Sequence, residues 1–321
     1  MRFVLESGRR VAVHVARARA TWTRPFEGAD GEERFVVFCH SAPGAGGFDP
    51  DPALTGQRNV TLISVDRPGY GRSDPVEPGR WSTVGSAADD IAVVLGSMSV
   101  DRVGVVGWSA GGRVALALAA RRPDLVDRVV VVATPAPDEE VPWLDDDQRV
   151  ELARLRSASP ADAHAELERR LRSLVPADPF SGEALWLLAA LTSGEPALAD
   201  AGVRDRLGHM LRTSFAQGAM GLAADIAGYC LQPWGFEPDD VRARTLLLYG
   251  TRDPLAGPKH GRWWRERLPH ARLELVPEAG HLLVVPAWAR ALAHLAPRKT
   301  RLSVVPGIAE ESDADYEESA A

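Results

Sequence analysis

A chain of 321 residues with 45% hydrophobic and 25% charged residues has the composition of a folded soluble protein, with room for one large α/β domain or two smaller ones. Its net charge of −7 and its scattered arginines argue against nucleic acid or an anionic membrane surface as the main partner, and point to a small molecule instead. The two cysteines, Cys39 and Cys230, exclude a disulfide framework and offer no metal-ligand spacing, so no metal or cofactor is expected.

Taken in chain order, the first ten residues break into charge after three apolar positions and lack the core of an export signal. No stretch approaches the length of a membrane span, and a cytoplasmic location is expected. Phe3–Leu5 and Val11–Val15 read as a hairpin. Arg34–Cys39 reads as a buried strand ending at His40, and Val60–Val65 as another ending at Asp66. Val103–Val106 is a β-branched run that leads into strong helix formers from Ala110 to Ala120, and Arg128–Ala133 is the next strand.

From Pro137 to Trp234 the strand pattern stops, and Ala, Leu, Arg, Asp and Glu recur at helical spacing. Strands resume at Arg244–Tyr249 and Arg272–Val276, separated by a helical stretch around Trp263. The acidic segment Glu310–Ser319 has almost no large apolar groups and reads as a solvated tail. The alternation predicts a mostly parallel twisted sheet with helices on both faces and a helical insertion. Its expected divisions are a core over 1–136, an insertion over 137–235, a second part of the core over 236–298 and a disordered acidic tail over 299–321.

The chemistry begins at Gly107-Trp-Ser-Ala-Gly111. A Gly-x-Ser-x-Gly string between a strand and a helix forms a nucleophile elbow, in which the serine sits on a strained turn with its hydroxyl above the sheet. A Cβ at Gly107 or Gly111 would crowd that turn, and the first amides of the helix point to where an oxyanion forms. Alone the string is common; the strand before it and the helix after it make it informative.

A serine hydroxyl needs a base and an orienting acid. Asp253 follows the strand ending at Tyr249, and His281 follows the next strand in Glu278-Ala-Gly-His-Leu282, so both lie on loops leaving carboxyl ends of strands. Asp138 is the substitute acid. His14, His164, His209, His260, His270 and His294 have no such placement. One oxyanion amide is expected from Ala110. The second is expected from the loop His40-Ser-Ala-Pro-Gly44, where Pro43 has no N–H and Ala42 is the donor, while His40 braces the loop.

Together, His40–Gly44, Asp66-Arg-Pro-Gly-Tyr-Gly-Arg-Ser73, Gly107–Gly112, Gly250-Thr-Arg-Asp253 and Gly280-His281 resemble the α/β-hydrolase superfamily, in particular capped bacterial members related to proline iminopeptidases and small esterases. The resemblance spans about residues 30 to 297. It implies Ser109 as nucleophile, His281 as general base and then acid, and Asp253 as the orienting acid, in the chain order of that superfamily. It implies that the insertion is a cap, where Trp143, Trp186, Leu187 and Leu188 either line a pocket or form the cap's own core, and Gln232–Phe236 is a hinge.

Asp66–Ser73 reads as a structural turn and cavity wall, and Trp108 as packing away from the pocket. The family's usual His-Gly is His40-Ser41 here, a position where serine is expected to pay for glycine-like dihedrals. Serine at 109 suits acyl transfer: cleavage of an ester, lactone, amide or thioester, or of the carbon-carbon bond of an activated diketone. The alternatives are an aminopeptidase acting on N-terminal proline, with Asp138–Glu140 or Asp145–Asp147 as the amine subsite, and a non-catalytic small-molecule-binding protein.

Overall fold

A computed structural model of the chain describes residues 1–17, 33–176 and 195–297. The hairpin forms from β1 (Arg2–Val4) and β2 (Arg10–Ala16), paired antiparallel. Then follow β3 (Arg34–Cys39), α1 (Pro52–Gln57), β4 (Val60–Val65), α2 (Val84–Ser97), β5 (Val103–Trp108), α3 (Gly111–Arg121) and β6 (Val126–Val132). The segment before the next strand carries α4 (Asp146–Leu155), α5 (Pro160–Leu171), α6 (Ala201–Ser214) and α7 (Met220–Ile226). The described chain closes with β7 (Arg244–Gly250), α8 (Pro258–Arg267), β8 (Ala271–Val276) and α9 (Trp288–Leu295).

The eight strands form one sheet in the order β1-β2-β4-β3-β5-β6-β7-β8. β2 pairs antiparallel with β4, and every pair from β4 through β8 is parallel. Helices covering both faces leave the central strands no wet side, so β4 and β5 are buried at every residue and neither carries a charged side chain. From β3 the chain crosses to β4 on one side, then returns from β4 past β3 to β5 on the other. A crevice opens at such a switch point, outside the carboxyl ends of the strands. Parallel register sets Cys39 beside Gly107, Trp108 beside Val132 and Gly250 beside Val276, so the following loops emerge together on that edge.

The strands fall within one or two residues of their sequence expectations. α1, α2 and α9 were not legible as elements. α2 buries Val84, Ala87, Ala88, Ile91, Leu95 and their neighbours, but glycines near both ends and the pair Asp89-Asp90 dilute its pattern. Its start is set by a capping box between Thr83 and Ser86.

Between β6 and β7 the described chain is helical, as the composition implied. α4, α5, α7 and the π-helical turn at Ala227–Leu231 share a small cluster of their own, around Leu152, Leu155, Leu167 and Leu231. α6 instead sinks Val203, Leu207, Met210 and Leu211 into the main core beside the sheet residues. Trp186, Leu187, Leu188 and the acidic tail lie outside the described residues.

Candidate active site

The elbow is built by close backbone approach. β5 ends at Trp108, and Ser109 turns with φ at 55°, a left-handed conformation that costs a non-glycine residue about 1–3 kcal/mol and persists only where neighbours fix it. Here they do. The Ser109 amide donates to the Val132 carbonyl at 2.8 Å, and its carbonyl accepts from Thr134 Oγ1 at 2.8 Å. A Cβ at Gly107 would run into the Gly111 carbonyl, one at Gly111 into the carbonyls of Cys39 and His40, and one at Gly112 into Thr134 Oγ1. The glycines at 107 and 111 thus do what the sequence pattern requires. The need at Gly112 comes from Thr134, which the pattern does not reveal.

Above the elbow three side chains meet. His281 Nε2 lies 3.0 Å from Ser109 Oγ, and His281 Nδ1 lies 2.9 Å from Asp253 Oδ2. The other Asp253 oxygen accepts the amides of Leu255 at 2.8 Å and Ala256 at 3.0 Å. Burial pushes the Asp253 carboxyl up. The His281 hydrogen bond and charge, with those two amides, outweigh it and hold the group below the ordinary carboxylate range. An ionised Asp253 accepts from Nδ1–H, which leaves Nε2 as the lone-pair nitrogen facing the serine. Such an imidazole can take the Ser109 proton.

Two neighbours hold the histidine loop. Trp108 Nε1 donates to the His281 carbonyl at 2.9 Å, so the indole is buried beneath the site and braces it instead of merely packing away. Glu195 accepts the Leu282 amide at 2.9 Å, and its carboxylate fills the space where a Cβ on Gly280 would stand.

The loop after β3 is held differently. His40 is fully buried, with Nδ1 2.8 Å from the Ser41 carbonyl and Nε2 accepting the Arg67 amide at 3.3 Å. Burial and the nearby Arg67 charge hold its pKa well below the ordinary histidine value, so the neutral ring is a brace and not a proton carrier. Arg67 donates to the carbonyls of His40 at 2.6 Å and Ser41 at 2.8 Å. Its Nε and Nη2 grip Asp225 of α7 at 2.9 and 2.6 Å, and Tyr70 Oη donates to the same carboxylate at 2.8 Å. Burial works against the Arg67 charge, but Asp225 more than restores it. The Asp66–Ser73 turn is therefore more than a cavity wall: its Arg67 ties the expected oxyanion loop to the helical insertion.

Ser41 does not carry the strain expected of it. Among the described residues the left-handed non-glycine positions are Asn59, Ser99, Ser109, Ala133 and Glu278, and Ser41 keeps a negative φ. The tight point of this loop is Gly44, where a Cβ would strike the Ser41 carbonyl. Ala42 lies between the two carbonyl-gripped residues and Pro43. Ala110 precedes α3, and its amide belongs to the group that has no intrahelical acceptor.

The remaining sequence candidates go elsewhere. Asp138 accepts the amides of Trp143 and Leu144, both at 2.7 Å, and pairs with Arg149, so it is not a partner for His281. Glu139 pairs with Arg156 and Glu140 with Arg267. Asp145 caps α4, and Asp146 pairs with Arg149. Of the background histidines, His14 meets Asp66 at 3.1 Å, and the buried His260 accepts the Ala136 amide at 3.1 Å. No described helix is long and apolar enough to cross a membrane.

Comparison with known proteins agrees with this architecture. Residues 35–286 match the family model described as the alpha/beta hydrolase fold. A pimeloyl-[acyl-carrier protein] methyl ester esterase of Nitrosomonas europaea is 30% identical over 227 residues, covering 68% of this chain and 77% of that one. A hydrolase from Pseudomonas aeruginosa superposes with a TM-score of 0.61 at 21% identity, covering 91% and 96% of the two chains. An enol-lactonase from Burkholderia xenovorans superposes with a TM-score of 0.55 at 19% identity, covering 91% and 98%. With its sheet order, its elbow and a match across most of its length, this chain belongs to the alpha/beta hydrolase fold family.

Proposed function

We propose that this chain is a serine hydrolase that cleaves a small ester or lactone, and more slowly an amide, through an acyl-enzyme. The observation that carries the reading is the continuous contact from Asp253 through His281 to Ser109, at 2.9 and 3.0 Å. Ser109 Oγ attacks the carbonyl carbon as His281 Nε2 takes its proton, and the carbonyl electron pair moves onto oxygen. The amides of Ala42 and Ala110 hold that oxyanion. The intermediate collapses, the carbon–oxygen bond to the leaving group breaks, and the imidazolium returns its proton to the departing oxygen. A water then repeats the sequence against the acyl-serine and releases the acid. Asp253 stays ionised and stabilises the imidazolium.

Residues 137–235 act as the cap over this core, and substrate choice belongs there. The relative from Nitrosomonas, named for cleaving a methyl ester, supports an ester over a peptide bond. The acidic runs offered as an amine subsite are committed to arginines and to the start of α4, which weighs against the aminopeptidase reading. A non-catalytic binding role leaves the strained Ser109 without a purpose.

The test is a panel of p-nitrophenyl esters of increasing chain length run beside proline naphthylamide, on wild type and Ser109→Ala. Ester turnover should fall about a thousandfold or more in the variant, with little amide turnover in either. Turnover that survives Ser109→Ala would reject the assignment.

A further inference from the structure

Behind the elbow lies a cavity of about 740 Å³ between α3, the start of the insertion and its return at Gln232–Trp234. Ser109 is not among its walls. Five charged residues line it, and four cancel: Asp138 binds Arg149 at 2.7 Å and Glu139 binds Arg156 at 2.8 Å. The fifth is Arg113, one helical turn after Ser109 and only 2% exposed. Among the described residues no carboxylate reaches ion-pair distance of it.

Arg113 is held, but not neutralised. Nε and Nη2 donate to the Pro135 carbonyl at 3.3 and 3.0 Å, Nη2 also reaches the Ala136 carbonyl at 3.4 Å, and Nη1 has no acceptor among the described residues. The rings of Trp234, Tyr229 and Trp143 surround the guanidinium, with centroids 4.5, 5.2 and 5.9 Å from its carbon. Carbonyls and aromatic faces orient a cation, yet they supply less than a counter-charge, and burial pushes its pKa down. A buried charge that lines a roomy cavity with a donor to spare is a site awaiting an anion.

We propose that this cavity binds a small aliphatic carboxylate, with Arg113 taking the carboxylate and Leu152, Leu231 and Trp234 the chain. The single unmatched charge suits a monoanion. A phosphate dianion would leave excess negative charge beside Asp138 and Glu139. The free Nη1 offers a carboxylate oxygen a charge-assisted hydrogen bond, and the apolar part of the wall suits an alkyl tail. The site does not depend on Ser109 being catalytic.

Isothermal titration with hexanoate and with hexanamide, its neutral counterpart, tests this. Wild type should bind hexanoate at least about tenfold more tightly, as one charge-assisted contact would give, and Arg113→Met should erase the difference. Equal affinity for the two ligands, no binding of hexanoate, or equal hexanoate binding in Arg113→Met overturns the site. Should Arg113→Met fail to fold, Arg113→Lys keeps the charge but loses the donor that Nη1 holds in place and should weaken hexanoate several-fold, its melting curve confirming the fold. Unchanged hexanoate affinity in that folded variant overturns the role of Arg113. Ser109→Ala should bind hexanoate as wild type does; loss there would place the ligand at the serine and reject the proposal.

Discussion

The two sides of the candidate site are built by different means. The elbow is fixed by backbone against backbone, with glycines at 107 and 111 pressed on neighbouring carbonyls and Ser109 held left-handed between β5 and α3. The loop after β3 is fixed by side chains, through a buried arginine whose counter-charge lies 158 residues further on. Local sterics make the first side insensitive to what happens in the insertion. The second side is only as well placed as the contact between Arg67 and α7. A hydrolase made this way depends on the few residues of its insertion that reach back to the core, Asp225 to Arg67 and Glu195 to the His281 loop among them.

That contrast can be broken at several points. Asp253→Asn should lower ester turnover by about four orders of magnitude while leaving the fold intact, because an amide can donate to Nδ1 and turn the ring's lone pair away from the serine; steady-state kinetics beside a melting curve would show the split. Asp225→Ala leaves a buried guanidinium unpaired and should cost about 3–5 kcal/mol of stability by chemical denaturation. Arg67→Met combined with Asp225→Leu should recover much of that stability but not the turnover, since the carbonyls of His40 and Ser41 would lose their donor. Recovery of both would mean that the clamp serves folding alone. Gly112→Ala forces a methyl group against Thr134 Oγ1 and should cost about 1–3 kcal/mol, with relief in a Gly112→Ala, Thr134→Ala double variant.

The smallest expected effect is a pH slope. Burial, helped by the Lys259 charge, lowers the His260 pKa to about 4. The unfolded chain therefore takes up a proton at this position near pH 6.5 while the folded chain does not. The stability tied to neutral His260 is complete above pH 6.5 and is lost as pH falls toward 4. Melting temperatures measured from pH 7.5 to 5 should fall less steeply in His260→Gln than in wild type. Parallel slopes would show that His260 is protonated in the folded protein.

The same contrast explains what could be read from the sequence. Strands, elbow, Asp253 and His281 were legible because each rests on a run of neighbours: β-branched residues, glycines at fixed offsets, polar residues just past a strand. Arg67, Tyr70, Asp225, Glu195 and the bracing role of Trp108 were not, because each acts on a partner far away in the chain and leaves no spacing to detect. The expected strain at Ser41 failed for a related reason. It was transferred from a family pattern, whereas here the close contact falls on Gly44.

Whether Ser109 is a nucleophile activated by His281 can be read with a fluorophosphonate probe, the labelled peptide being identified by mass spectrometry. One adduct is expected on Ser109, absent in Ser109→Ala and formed at least about a hundredfold more slowly in His281→Ala. Labelling that persists in Ser109→Ala, or that proceeds at an unchanged rate without His281, would contradict it.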